Sequence, residues 1–198
     1  MKHADYLANG FNNPGMMSDE DSWKKVKAGD QSALSFLYKK YIKHLYRYGF
    51  FLINDKDLVE DAIHDVFLNL WNSRKNQIDI HNLRAYLYTS VRREVFLKKK
   101  KYNRTSFKIE EIEDRLLDQP SVEDLWIRSE DEQENIQRVR SFINNLSDRQ
   151  REIIFLRYYQ NLSYQEISDL LKIDQNYAYN LTSKAFNQLR KQFENSLK

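Results

Sequence analysis

Between Leu146 and Arg190 lie two runs of helical apolar spacing, each opened by its own capping residue and separated only by a short turn. Ser163 is followed by Glu166 in capping-box register. In that pattern the hydroxyl accepts from the third backbone N–H while the carboxylate reaches back to the cap N–H. Ile167, Leu170 and Leu171 then make one apolar stripe. Ile173 interrupts it, and Asp174 suits the N-cap of a second helix. Ala178, Leu181, Ala185 and Leu189 line one side of that helix, with small alanines where a partner helix can approach closely. Asn176, Asn180, Ser183, Lys184 and Asn187 line the other. Asn pairs well with adenine edges, and Lys and Ser suit phosphates. A capped helix, a turn and a second capped helix form a helix-turn-helix, which lays its second helix in the DNA major groove. The bland alternative is a solvated polar face on a small bundle, and the paired caps weigh against it.

The rest of the chain is expected to be helical too. Only 4 Gly and 2 Pro interrupt 198 residues, and 31% are charged. A net charge of +3 names no partner, but its distribution is informative. Lys98, Lys99, Lys100, Lys101 and Arg104 form a basic block. An acidic stretch follows, from Glu110, Glu111, Glu113 and Asp114 through Glu123 and Asp124 to Glu134. Segregated blocks of opposite sign point to different jobs. With no cysteine, disulfides and cysteine metal sites are excluded. No apolar run reaches the length of a membrane span, and the N-terminus lacks the apolar core of a signal peptide, so a cytoplasmic protein is expected.

The expected fold class is all-α: two small helical domains joined by a flexible linker, the C-terminal one containing the helix-turn-helix. Residues 1–17, with Asn12, Asn13, Pro14 and Gly15, read as a mobile tail. Residues 18–101 form the first domain. Its helices are expected from Ser18 to Gly29, from Ala33 through Tyr48, over Leu58–Trp71 and over Leu83–Lys101, with a polar loop at Ser73–Asn82. Residues 102–130 are the acidic linker, broken at Pro120 and Ser121. Residues 131–198 form the second domain, with helices at Glu132–Asn144, Ser147–Tyr159, Ser163–Lys172 and Gln175–Leu197.

Two features of the first domain exceed what packing requires. The helix DLVEDAIHDVFLNLW is acidic along its first half, at Asp57, Glu60, Asp61 and Asp65, with His64 among them. The helix dipole accounts for part of that. A solvated face and a docking surface for a basic protein both remain open. Further on, Tyr86, Tyr88, Arg92, Arg93 and Phe96 lead into Lys98–Lys101. Aromatics interleaved with cations suit unstacked bases on a charged backbone, each stacked base contributing about 1–3 kcal/mol. A tyrosine-rich core with a lysine-rich exit is the alternative. His3, His44, His64 and His81 lack metal-ligand spacing, and there is no Gly-rich phosphate loop, which argues against an enzyme acting on nucleic acid. A stand-alone helix-turn-helix regulator leaves both features unexplained.

These residues together resemble an RNA polymerase sigma factor of the sigma-70 superfamily, extracytoplasmic-function class. DLVEDAIHDVFLNLW looks like the core-polymerase-binding helix, NLRAYLYTSVRREV like the −10 recognition and melting helix, and LSDRQREIIFLRYYQNLSYQEISDLLKI with the final helix like the −35 reading domain. The resemblance spans about residues 20 to 192. It implies a non-catalytic specificity subunit with no cofactor, metal or catalytic residue. Its implied partners are core RNA polymerase, through the clamp helices and the flap, and promoter DNA; an anti-sigma factor is left open. Asp61, His64, Asp65 and Phe67 would face the clamp helices. Arg74, Asn82, Tyr86, Tyr88, Arg92, Arg93, Lys98 and Lys99 would hold the non-template −10 strand. Arg157, Ser163 and Gln165 would touch −35 phosphates, and Gln175, Asn176, Tyr179, Asn180, Ser183 and Lys184 would face the −35 element. The acidic linker would thread toward the active-site and RNA-exit path. The chain departs from the usual pattern at His64, where the family has Gln, and at Arg93, where it has Asn. Tyr179 and Leu181 often correspond to Arg or Lys, so this recognition helix is less cationic than usual.

Overall fold

The computed structural model describes residues 18–76, 80–105 and 141–196, with side chains to Tyr102 in the second span. All regular elements among the described residues are helical, as expected. The chain separates into two units, one ending at Thr105 and the other beginning at Ser106.

The first unit contains α1 (Asp19–Lys27), α2 (Gln31–Ile53), α3 (Lys56–Asn72) and α4 (Leu83–Thr105). Each begins where a short polar side chain satisfies orphan backbone donors. Ser18 Oγ accepts from Asp21 N at 3.0 Å, and Asp30 Oδ1 from Ser32 N at 2.8 Å and Ala33 N at 3.2 Å. Asp55 Oδ1 accepts from Leu58 N at 3.0 Å, and Asn82 Oδ1 from Ala85 N at 2.9 Å. Each such cap stabilises its helix by about 1 kcal/mol. Left-handed backbone at Gly29 (φ 95°) and Asn54 (φ 50°) follows α1 and α2, so these helices stop and the next starts within a few residues.

Leu37, Tyr41, Leu45 and Tyr48 of α2 are fully buried against Val59, Ile63 and Leu70 of α3 and Leu87, Val91 and Val95 of α4. Trp23 and Val26 of α1 close the core. Asp19 fastens α1 to α2: its carboxylate takes the Lys40 ammonium at 2.7 Å and the Tyr41 hydroxyl. Burial, reinforced by that carboxylate, holds the Tyr41 hydroxyl protonated far above the usual tyrosine range. Helix α4 continues past Lys101 to Thr105, so the first positions expected in the linker are helical. The tail at 1–17 and the linker from residue 106 lie outside the described residues. So does most of the helix expected at Glu132–Asn144, of which residues 141–144 are seen as helix.

The second unit contains α5 (Asp148–Ile154), α6 (Tyr164–Leu171) and α7 (Gln175–Ser196). Ser147 and Gln150 form a capping box before α5. The helix expected to run unbroken to Tyr159 changes pitch at Phe155–Tyr159, where the turn widens: Gln160 N donates to Phe155 O at 3.0 Å. Both caps of the helix-turn-helix form as read. Ser163 N donates to Glu166 Oε2 at 2.8 Å and Glu166 N to Ser163 Oγ at 3.2 Å. Asp174 Oδ1 accepts from Asn176 N at 2.8 Å and Tyr177 N at 3.2 Å. The packed stripe of α7 is Ala178, Thr182 and Ala185, while Leu181 and Leu189 are half-buried. Thr182 takes the central place because its hydroxyl is satisfied locally, donating to Ala178 O at 2.9 Å.

Candidate functional site

Each unit presents a face of its own. On α3, Asp57, Glu60, Asp61 and His64 are exposed. Asp65, on the same helix, turns toward α4 and pairs with Lys98 at 2.6 Å. The hydrogen bond that the Lys98 ammonium donates to Asp65 raises the Lys98 pKa against desolvation, with the charges of Asp65, Asp61 and Glu94 adding to it. At 22% and 41% side-chain exposure, this pair contributes no more than about 1 kcal/mol. Two residues assigned from the sequence to different partners therefore hold each other. Phe67 is only 5% exposed, with Tyr38 edge-on at 5.0 Å. It lies in the wall of a groove of about 490 Å³ between α2 and α3, lined also by Leu34, Tyr38, His64, Leu68 and Trp71.

The residues read as −10 contacts divide. Tyr88 is 0% exposed and packs on Tyr48 at 5.4 Å, so it belongs to the core and has no face for a base. Asn82 is occupied as the α4 cap. The Arg74 guanidinium lies over Trp71 at 4.0 Å and donates to Trp71 O at 2.7 Å, which fixes the chain as it leaves α3. Tyr86, Arg92 and Lys99 are half-buried and Arg93 is exposed. Arg92 sits 5.1 Å over the ring of Phe96, which is 41% exposed. Leu97 and Tyr102 are also exposed, so the basic end of α4 carries more apolar surface than the sequence reading assigned.

In the second unit Gln175, Asn176, Tyr179, Asn180 and Lys184 are exposed on α7, and Ser183 is half-buried beside them. Ser163 is spent on capping, and Gln165 Nε2 donates to Asp169 Oδ1 at 3.1 Å. Arg157 Nη1 donates to Leu162 O at 3.0 Å, which ties the wide turn to the start of α6. The sequence reading named Tyr179 but missed the rings Tyr158, Tyr164 and Phe186. Tyr164 meets Tyr179 edge-on at 5.6 Å, and Tyr158 meets Phe186 at 5.0 Å. Phe186 stands two helical turns beyond Tyr179, beside the side read as polar, which is the signal that could have found it.

No described helix is long and apolar enough to cross a membrane, and no acidic–histidine cluster among the described residues could hold a metal ion. The profile of "Sigma-70 region 2" matches residues 37–105, and that of "Sigma-70, region 4" matches residues 142–191. Over 172 residues the chain is 23% identical to the "ECF RNA polymerase sigma factor SigX" of Bacillus subtilis (strain 168), covering 83% of this chain and 85% of that protein. Among solved structures it is similar to CnrH, captured with the cytosolic domain of CnrY, with a TM-score of 0.60 at 16% identity, covering 89% of this chain and 97% of that one. It is also similar to the sigma factor RpoE of Bartonella quintana, co-crystallised with the anti-sigma factor NepR, with a TM-score of 0.57 at 21% identity over 81% and 96% of the two chains. With a region 2 and a region 4 in sequence and a curated relative of the same kind along most of its length, the chain belongs to the sigma-70 family of RNA polymerase sigma factors, in its extracytoplasmic-function class.

Proposed function

We propose that this sigma factor docks on core RNA polymerase through α3, captures the non-template −10 strand with α4, and reads the −35 duplex with α7. The observation that carries this reading is the back-to-back packing of α3 and α4. An exposed acidic face at Asp57, Glu60, Asp61 and His64 lies on one helix, and Arg93, Phe96, Lys100 and Lys101 are exposed on its neighbour. One rigid unit thus offers a surface for a basic protein and another for a polyanion. The α2–α3 groove beside His64 would receive apolar side chains of the clamp helices, with Phe67 in its wall and Leu68 at its rim. On α4, bases would stack on Phe96 and Tyr102, while Arg93 and the lysines meet phosphates. Capture there offsets the unstacking cost of a few kcal/mol.

In the second unit, α7 enters the major groove with Gln175, Asn176, Tyr179, Asn180, Ser183 and Lys184 outward. The same unit would also meet the polymerase flap. On this reading the chain acts in the cytoplasm as a non-catalytic specificity subunit. Region 2 then extends from residue 18 to Thr105, where α4, the first unit and the region 2 match end, with the tether proposed over 106–130 and region 4 over 131–198. RpoE was crystallised with an anti-sigma factor. An anti-sigma partner is accordingly proposed here as well.

Run-off transcription with core polymerase on a promoter library tests the reading. Asp61→Arg should weaken core binding, whereas Asn180→Ala and Lys184→Ala should weaken only −35-dependent initiation. Tight, specific duplex binding by the free protein, or equal loss of core binding in all three variants, would overturn it.

A further inference from the structure

The first turns of α7 carry no cation. From Gln175 to Ser183 there is no Lys, Arg or His, and Lys184 is the first. Guanine is read in the major groove chiefly by bidentate Arg or Lys. That mode is absent from the part of α7 that would enter first. What this part offers instead is amide side chains at Gln175, Asn176 and Asn180 and a large neutral ring at Tyr179, which is 58% exposed.

An exposed ring on a helix surface ordinarily samples several rotamers. This one is buttressed. The Tyr164 ring stands edge-on to it, 5.6 Å between centroids at 69°. Behind Tyr164 the Arg157 guanidinium lies 5.1 Å from the ring centre, and Arg157 is itself anchored to Leu162 O at 3.0 Å. On the same turn, the Tyr158 ring is edge-on to Phe186 at 5.0 Å. The rings therefore form a relay from the wide turn, through α6, to the outward face of α7. Such edge-to-face pairs hold geometry as well as burying area.

The major groove presents a single apolar feature, the thymine C5-methyl, and apolar side chains read it by contact. We propose that Tyr179 is a specificity-determining residue that reads a thymine methyl in the −35 duplex, and that Tyr164, backed by Arg157, is its positioning residue. The inference rests on the reading of α7 as the −35 helix. Flanked by Asn176 and Asn180, the ring makes A·T pairs the preferred content of the element under the first turns of α7.

Deoxyuridine differs from thymidine only by that methyl, which makes the test specific. Holoenzyme, reconstituted from core polymerase and the full chain, selects a −35 duplex from a randomised library, and each thymine of the selected site is then replaced by deoxyuridine. At one position the wild type should lose about fourfold in affinity, the share of one buried methyl. Tyr179→Ala should bind both duplexes equally, and Tyr179→Phe should keep the methyl preference. Tyr164→Phe should also keep it, since the ring remains. Tyr164→Leu, which keeps apolar bulk without an edge-to-face partner, should lose most of it while core binding is unchanged. A selected element without thymine, or a deoxyuridine penalty that persists in Tyr179→Ala, would overturn the inference while leaving α7 as the −35 helix. If Asn180→Ala and Lys184→Ala bind selected and scrambled duplexes as the wild type does, the reading of α7 fails, and the inference with it.

Discussion

Gly49 sits in the middle of α2, where glycine is a poor helix residue by about 1 kcal/mol relative to alanine. Its backbone is ordinary helix, so no left-handed conformation calls for it. What calls for it is α3. A Cβ built on Gly49 would lie 2.8 Å from Val59 Cγ1 and 3.2 Å from Cγ2. Val59 is fully buried and, being β-branched, has little rotamer freedom with which to yield. Gly49→Ala therefore gains about 1 kcal/mol of helix propensity and meets an overpacking cost of about 1–3 kcal/mol. The expected net is destabilisation by up to about 2 kcal/mol. Val59→Ala alone removes two buried methyl groups and should cost about 2 kcal/mol, cavity included. In the Val59→Ala background the methyl added by Gly49→Ala enters the vacated space, and that substitution should become stabilising by about 1 kcal/mol. The assay is urea unfolding of the four members of the cycle, followed by tryptophan fluorescence from Trp23 and Trp71, with Trp126→Phe in every member. A coupling of at least about 1 kcal/mol with a change of sign is expected. Stabilisation by Gly49→Ala in both backgrounds would show that close α2–α3 approach is not the reason for glycine.

Asn82, a DNA contact on the sequence reading, is also the α4 cap. Asn82→Ala should lower the urea midpoint by the equivalent of about 1 kcal/mol and Asn82→Ser should recover most of it; unchanged midpoints in both would remove the cap from the account. Asp30 carries a linked pH effect. The Ser32 hydroxyl first, then the Ala33 N–H, hold its carboxyl below its ordinary value of 3.8. A depressed folded pKa contributes stability that is complete above the unfolded value and lost as pH falls through the folded one. Asp30→Asn, which cannot ionise, should be less stable than wild type at neutral pH, and thermal melts should show the gap closing below about pH 4. A gap that stays constant from neutral pH to about pH 2 would contradict the assignment.

Much of the fold was legible because the interactions that start and stop these helices are short-range in sequence. Ser163 with Glu166, and Asp174 with the N–H groups just beyond it, satisfy donors within one turn, so the turn of the motif could be read from residue types alone. Leu87, Val91 and Val95 likewise recur at helical spacing, and all three are buried on α4. The same spacing could not separate Tyr86 from Tyr88, since both follow the basic-aromatic pattern and only the position of Tyr48 decides which is enclosed. Nor could it show Asp65 reaching Lys98, a pair separated by the whole α3–α4 turn.

Helix identity, the capped helix starts and the family were thus contained in the chain itself, through caps, periodicity and two motif blocks in order, whereas α2 and α4 run further than read and the helix after Ser147 changes pitch at Phe155. Which face of each helix is spent on packing and which remains for a partner was decided by tertiary structure. Helix crossings bring together residues far apart in sequence, and a side chain's availability depends on the neighbour it meets there. Tyr88 was withdrawn into the core by α2 and Lys98 engaged by α3, while Tyr179 was braced by Tyr164 across the helix-turn-helix. Gly49 belongs to the second account: the sequence reading followed this helix only through Tyr48, and the reason for a glycine within α2 appears only with Val59 against it.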